Sequence, residues 1–207
     1  MIKPNFHTIC ANSDYAKIFA EKGYAYFTNG AYNLNIIGIR SDNKNKVTNL
    51  FDDYLVVIYK TPNGRWTRQC YPITTEPGYY YMVTNVINAK GTAILAPGQY
   101  RGCWELGKHK GQYKALVQKK SVKVYRDANR DAIYDMLSHR TDIGVFGLNI
   151  HRSNEYRTSK YVDKYSAGCQ VFANPKDFDA FIRLCEKQKQ LYGNSFTYTL
   201  IEESDVR

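Results

Sequence analysis

The firmest constraint on this chain is a hairpin encoded by residues 54–71. Tyr54-Leu55-Val56-Val57-Ile58-Tyr59-Lys60 and Arg65-Trp66-Thr67-Arg68-Gln69-Cys70-Tyr71 flank Thr61-Pro62-Asn63-Gly64. Both flanks are rich in β-branched and aromatic side chains, which suit a pleated, half-buried surface. The Asn-Gly pair tolerates the positive φ angles that a tight strand reversal needs. A fold containing this segment has to build a sheet around it.

The remaining sequence extends the β preference. Nineteen Tyr and nine Phe stand among many Thr, Val and Ile. Residues 34–40 form a dense apolar run before polar Ser41-Asp42-Asn43-Lys44-Asn45, which predicts a buried strand and an exposed loop. Residues 74–78 turn into the aromatic run Tyr79-Tyr80-Tyr81, whose expected state is a strand edge burying alternate rings. Strands are expected at 91–95 and 99–106 around Pro97-Gly98, and at 115–118 and 122–126 around a basic turn. A further strand over 144–150 presents His151 at its end.

Two segments have helical signatures. Residues 13–22 form a short helix with Ser13 as N-cap and Gly23 as stop. Asn174 and Pro175 open a second helix, in which Phe178, Phe181, Ile182 and Cys185 recur at helical spacing. Gly193-Asn194 ends it, and 195–201 returns as a strand with alternating Phe196, Tyr198 and Leu200. The expected fold class is mainly β with a few short helices, α+β overall. Residues 1–30 are expected as a helical extension packed on a core domain of residues 31–207.

Charge and cysteine usage limit the classes of function. A net charge of +10 implies an anionic partner or a solvated basic surface. Nucleic acid, anionic cell-wall polymers and membrane surfaces all satisfy that balance. The basic residues are dispersed, and nucleic-acid binding rests on charge alone, so no nucleic-acid partner is expected. Five cysteines, with no CxxC pair and no cysteine–histidine zinc spacing, argue against a disulfide framework and for synthesis in a reducing compartment. Residues 1–7 lack the apolar run of a signal peptide, and no segment approaches the ~18 apolar residues of a membrane span. Cytoplasmic synthesis is expected, with release or a carrier needed for action elsewhere. Asp127-Ala128-Asn129-Arg130-Asp131, with Asp135 beyond, mimics a calcium loop. It has Ala132 where Gly is expected and Ser138 where the closing Glu is expected, so an Asx-rich turn is the reading, with no metal and no cofactor.

One segment carries chemistry. Asn149-Ile150-His151-Arg152 is followed, after a spacer, by Tyr165-Ser166-Ala167-Gly168-Cys169-Gln170. A thiol needs a base or a cation to become a nucleophile near neutral pH. A turn of small residues lets backbone N–H groups approach a reacting carbonyl oxygen. Cys169 and His151 are therefore the candidate nucleophile and base. Cys10, Cys70, Cys103 and Cys185 are read as small buried hydrophobes.

At these residues the chain resembles the L,D-transpeptidase (YkuD-type) catalytic domain, which carries a His, a spacer of this length and then [Ser/Thr]-x-Gly-Cys. The resemblance is greatest to a subset from phages and from gut bacteria of the Bacteroides group. It spans roughly residues 31–202 and is strong over 144–172. It implies a β-sandwich-like catalytic fold and a substrate in the peptide stems of peptidoglycan. It further implies Cys169 as nucleophile, His151 as base, the Arg152 carbonyl as the group orienting the imidazole, and Ser166 in the motif. The Gly168 and Cys169 N–H groups would form an oxyanion hole. Two positions depart from the pattern: Ala167 stands where most members have a second His, and Val171 where most have Arg.

Candidate substrate-binding residues are His109, Arg157 and Gln170. His109 lies between Gly107 and Gly111 and has two readings, a cleft residue or a satisfied turn histidine. Arg157, like Arg152, lies between the His and the Cys, where it could meet a stem-peptide carboxylate or remain a solvated loop residue. Transpeptidation and hydrolysis are both open, and a wall-degrading, phage-related, endolysin-like protein is the expectation. The competing class is a catalytically silent wall-binding or virion structural module, with the anionic cell wall and other virion proteins as partners.

Overall fold

The computed structural model describes residues 5–207; Met1–Pro4, part of the segment read for a leader, lie outside them. Strand exceeds helix, and the helices are few and mostly short. The strands in chain order are β1 (Asn35–Arg40), β2 (Asp53–Lys60), β3 (Trp66–Thr74), β4 (Thr92–Leu95), β5 (Gly98–His109), β6 (Tyr113–Gln118), β7 (Val122–Asp127), β8 (Thr141–Gly144), β9 (Ile150–Arg152), β10 (Gln170–Phe172) and β11 (Phe196–Glu202). The helices are α1 (Phe6–Asn12), α2 (Tyr15–Glu21) and α3 (Pro175–Tyr192). Eight strands close into a barrel in the order β1-β11-β5-β6-β9-β10-β3-β2, and β4-β7-β8 form a separate sheet.

The hairpin forms as its sequence requires, with β2 and β3 antiparallel and Lys60 opposite Trp66. Gly64 takes φ +81° in the turn, a conformation that a side chain would strain. The continuous apolar runs of β1 and β2 have a physical reason: both faces are covered. Ile36, Leu55 and Val57 join the main core, which also receives Phe178, Phe181 and Cys185 of α3. Ile37, Ile39, Val56 and Ile58 point the other way and meet Cys10, Tyr15 and Phe19 of α1 and α2. The α3 N-terminus is built as its sequence indicates, with the Asn174 side chain accepting from the Lys176 N–H and Pro175 in the first turn.

Three local expectations are corrected. Asp14, not Ser13, caps α2, by accepting from the Lys17 N–H; the Ser13 hydroxyl instead donates to the Ile9 carbonyl at the end of α1. The run 79–81 is not a strand: Tyr80–Thr84 is a π-helical turn, with the Tyr80 and Tyr81 rings edge to face. The strand expected over 144–150 is interrupted. β8 ends at Gly144 and β9 begins at Ile150, with an irregular segment between them.

Side chains satisfy part of that segment's backbone around its buried residue, Leu148. The Gln118 amide oxygen accepts from the N–H groups of Phe146 and Leu148, and the Trp104 indole donates to the Leu148 carbonyl. The loop at 127–135 is closed by Asx hydrogen bonds: Asp127 accepts from the Asp135 N–H, and Asp131 from the Ile133 N–H. Among the described residues, no group of three or more His, Cys, Asp or Glu is placed to hold a metal ion. Nor is any helix among them long and apolar enough to cross a membrane.

Candidate active site

Strands β9 and β10 run parallel, with Val171 opposite His151 and Gln170 opposite Ile150. Cys169 immediately precedes β10, two residues before Val171, and Lys110 bears on both its thiol and the His151 imidazole. The two candidate reacting groups are thus brought to adjacent strands, although eighteen positions separate them.

The turn before Cys169 is held by Ser166. Its buried hydroxyl donates to the Cys169 carbonyl at 2.8 Å and accepts from the Gly168 N–H at 3.1 Å. Gly168 has φ +117°, and a β-carbon there would lie 2.3 Å from the Ala93 carbonyl oxygen, so only glycine fits. The Cys169 thiol is half-buried and donates to the Gly147 carbonyl at 3.6 Å, not to His151. Gly147 lies in the irregular segment pinned by Gln118 and Trp104, so the core positions the thiol's partner.

His151 is oriented from its other side. Its Nδ1 lies 2.8 Å from the Arg152 carbonyl oxygen, in the arrangement that leaves Nε2 with the lone pair. The Tyr113 hydroxyl donates to the same carbonyl at 3.2 Å and lies 3.3 Å from Nδ1. His109 stacks on His151, ring centroids 3.9 Å apart. The Asn149 side-chain amide lies 3.1 Å from His109 Nδ1 and fixes that ring in turn.

This packing sets the protonation states. Burial, aided by His109 and Lys110, pushes His151 down to about 3, outweighing its bond to Arg152. Burial and Lys110 push His109 down to about 4. Burial pushes the Cys169 thiol up to about 11, although the Asn149 backbone N–H and Lys110 favour the thiolate. Thiol and imidazole are therefore both neutral at pH 7.

The other candidates are placed as follows. Gln170 is fully buried, its oxygen accepting from the Tyr198 hydroxyl at 2.7 Å and its nitrogen donating to the Gly168 carbonyl at 3.3 Å. Its assignment to substrate binding is corrected, because no part of it faces solvent. The Gly168 N–H is already bonded to Ser166, so the expectation that it waits free for an oxyanion is also corrected. Arg157 is exposed in a bend, where its backbone N–H donates to the Asn154 side-chain oxygen. The Arg152 guanidinium lies over the Tyr113 ring at 4.3 Å and pairs with Glu155 at 3.1 Å. His109 is brought to the site, but as a buried partner of His151 rather than an open cleft residue. Tyr113 and Asn149 were not foreseen; the Asn-Ile-His-Arg string pointed to Asn149 by proximity, whereas nothing local marks Tyr113.

A pH prediction follows from the stacked pair. The unfolded chain protonates His109 below its ordinary value of 6.5, whereas the folded chain resists until about 4. The stabilisation is present above pH 6.5 and is lost as pH falls through that window. Relative to His109→Gln, the wild type is expected to lose on the order of 2–3 kcal/mol between pH 7 and pH 4. Urea unfolding across this range measures it, and identical pH slopes for the two proteins would refute it. Charged or titratable groups facing the ring are His151, Tyr113 and Lys110.

Comparison of the chain with protein-family models, curated proteins and solved structures returned no match.

Proposed function

We propose that this chain is a cysteine-dependent enzyme acting on peptidoglycan stem peptides, as an L,D-transpeptidase or L,D-peptidase. The observation that carries the reading is the parallel pairing of β9 with β10, which brings His151 beside the strand that Cys169 immediately precedes, with His151 tied through Nδ1 to the Arg152 carbonyl. The reading includes the β-sandwich-like catalytic fold that the resemblance implies; the closed barrel supports its mainly β class. An export or virion route to the cell wall belongs to the same proposal.

The chemistry starts from a neutral pair. As the sulfur attacks the carbonyl carbon of an L-to-D peptide bond, its proton passes to His151 Nε2. The Cys169 N–H is the donor to the developing oxyanion. Collapse breaks the C–N bond, and His151 returns the proton to the leaving amine. The remaining thioester is released by water, giving hydrolysis, or by an amine, giving a cross-link. Ser166 keeps the turn in shape, and Tyr113 and His109 position the imidazole.

A neutral resting thiol predicts how the site alkylates. Iodoacetamide should label Cys169 before Cys10, Cys103 and Cys185, which are buried, and before Cys70, whose thiol burial pushes up to about 12. The rate should climb about tenfold per pH unit from pH 7 to 10. A plateau near neutrality would mean a preformed thiolate–imidazolium pair instead. The function itself is tested by mass spectrometry of muropeptides of defined stem length after incubation with the protein. Release of a terminal D-residue or a new cross-link supports it.

The second reading, a silent wall-binding or virion module, is favoured by the same neutrality and by the thiol's bond to Gly147. Absence of product at every stem length, with retained sedimentation on sacculi, would select it.

A further inference from the structure

A cavity of about 340 Å³ has a lining that includes Tyr81, Thr92, Arg126, Phe146, Leu148 and Ala167. Its position ties it to the site. Phe146 and Leu148 flank Gly147, whose carbonyl holds the Cys169 thiol, and Ala167 stands two residues before that cysteine. The walls mix apolar side chains with polar groups, and Arg126 is the one charged group among the lining residues.

Arg126 is buried, and its guanidinium is only partly engaged. Nη1 donates to the Gly91 carbonyl at 3.1 Å. Nη2 donates to Asp142 Oδ2 at 3.2 Å. Nε, on the same edge as Nη2, has no partner. That edge is a fork whose two N–H groups match the two oxygens of one carboxylate. Asp142 cannot fill it, because its Oδ1 accepts from the Ile143 N–H at 3.0 Å and its Oδ2 is shared with Lys90 at 3.4 Å. Two cations therefore face one carboxylate, and the fork is half filled. The Phe146 ring lies against the guanidinium at 4.6 Å and provides an apolar wall beside the charge.

We infer that this cavity is a recognition site for the carboxylate of a short peptide, with Arg126 as the residue that selects it. The inference rests on the reading of Cys169 as the nucleophile, and it names what holds the substrate beside that sulfur. A ligand carboxylate would take the Nε–Nη2 edge in exchange for Asp142, while its apolar part lies against Phe146 and Leu148.

The test is a titration with N-acetyl-D-alanine and with its neutral amide, followed by amide NMR shifts at Thr92, Ala93 and Ala167. Binding is read directly and needs no thiol chemistry. The acid is expected to bind with shifts at those three positions, and the amide about tenfold more weakly, a difference of about 1.4 kcal/mol. Arg126→Gln should weaken the acid by about the same factor. Should that variant fail to fold, Arg126→Lys keeps the charge, removes the fork and should still weaken the acid. Asp142→Asn should bind the acid at least as tightly as the wild type, which a merely structural ion pair would not do. Equal binding of acid and amide, undiminished binding by the Arg126 variants, or weakened binding by Asp142→Asn would overturn the inference. Arg126-dependent binding without turnover of any muropeptide would leave the site standing and remove the enzyme. Turnover without Arg126-dependent binding would do the reverse.

Discussion

Exchange of Cys169 for Ala is expected to abolish release of terminal D-residues and formation of new cross-links, by roughly 10⁴-fold or more in kcat/KM. It should leave sedimentation with sacculi nearly intact. The first half follows from covalent chemistry: no other side chain in the turn can form the acyl intermediate, since the Ser166 hydroxyl is buried and engaged with the Cys169 carbonyl and the Gly168 N–H. The structural cost is small, because the thiol is half-buried and makes one long bond to Gly147. A change within about 1 kcal/mol in folding stability is expected. The second half follows from charge: binding to an anionic wall draws on dispersed Lys and Arg, and should weaken with salt rather than with loss of one sulfur. Activity retained in Cys169→Ala would refute the mechanism, and lost sedimentation would place wall binding at the site itself.

The legible part of this site was its covalent core. Histidine and cysteine could be paired from a short string because β9 and β10 are adjacent parallel strands and their order is local. The segment between Gly144 and Ile150 was misread because its residues favour strand, whereas Gly147 has φ +75° and the carbonyls turn away from a ladder. The signals that hold it, Gln118 and Trp104, lie about thirty to forty residues upstream and carry no local mark. Tyr113 and His109 reach His151 only because β6 pairs with β9, and β5 with β6, in the closed barrel. Gln170 was misplaced for a related reason. A polar residue next to a nucleophile suggests substrate contact, but alternation along β10 turns it inward, where Tyr198 satisfies it. Barrel closure itself was also illegible, since the β1–β11 pairing joins the two ends of the chain.

Arg40 is a position where a single substitution should cost the fold heavily. It is almost fully buried at the end of β1 and donates to the Thr75 hydroxyl at 3.1 Å, the Thr75 carbonyl at 3.2 Å and the Leu95 carbonyl at 2.9 Å. Two buried carboxylates surround it. Asp53 accepts from the N–H groups of Ser41 and Thr75 and from the Thr75 hydroxyl. Glu76 lies 3.3 Å from Arg40 Nε, but that oxygen makes no hydrogen bond. Burial and the Asp53 charge push Glu76 up to about 8, against the pull of Arg40. One guanidinium thus serves two carboxyls, and Glu76 keeps its proton at pH 7. Arg40→Met would leave Asp53 without a countercharge and two carbonyls without a donor. A loss of about 3–5 kcal/mol at pH 8 is expected. The sign with pH is fixed. A carboxyl raised above its unfolded value holds its proton in the folded state, so stability falls as pH rises from the unfolded value through the raised one. The variant should therefore lose less at pH 5, where Glu76 is neutral and Asp53, also raised by burial, is closer to its protonated form. The site would register the change too, because Thr75 and Glu76 lead into Gly78, whose N–H donates to the Ser166 carbonyl at 2.9 Å. Urea unfolding at the two pH values decides it. An equal loss at both would mean that Arg40 acts through packing alone, and that the charges around it contribute nothing to the fold.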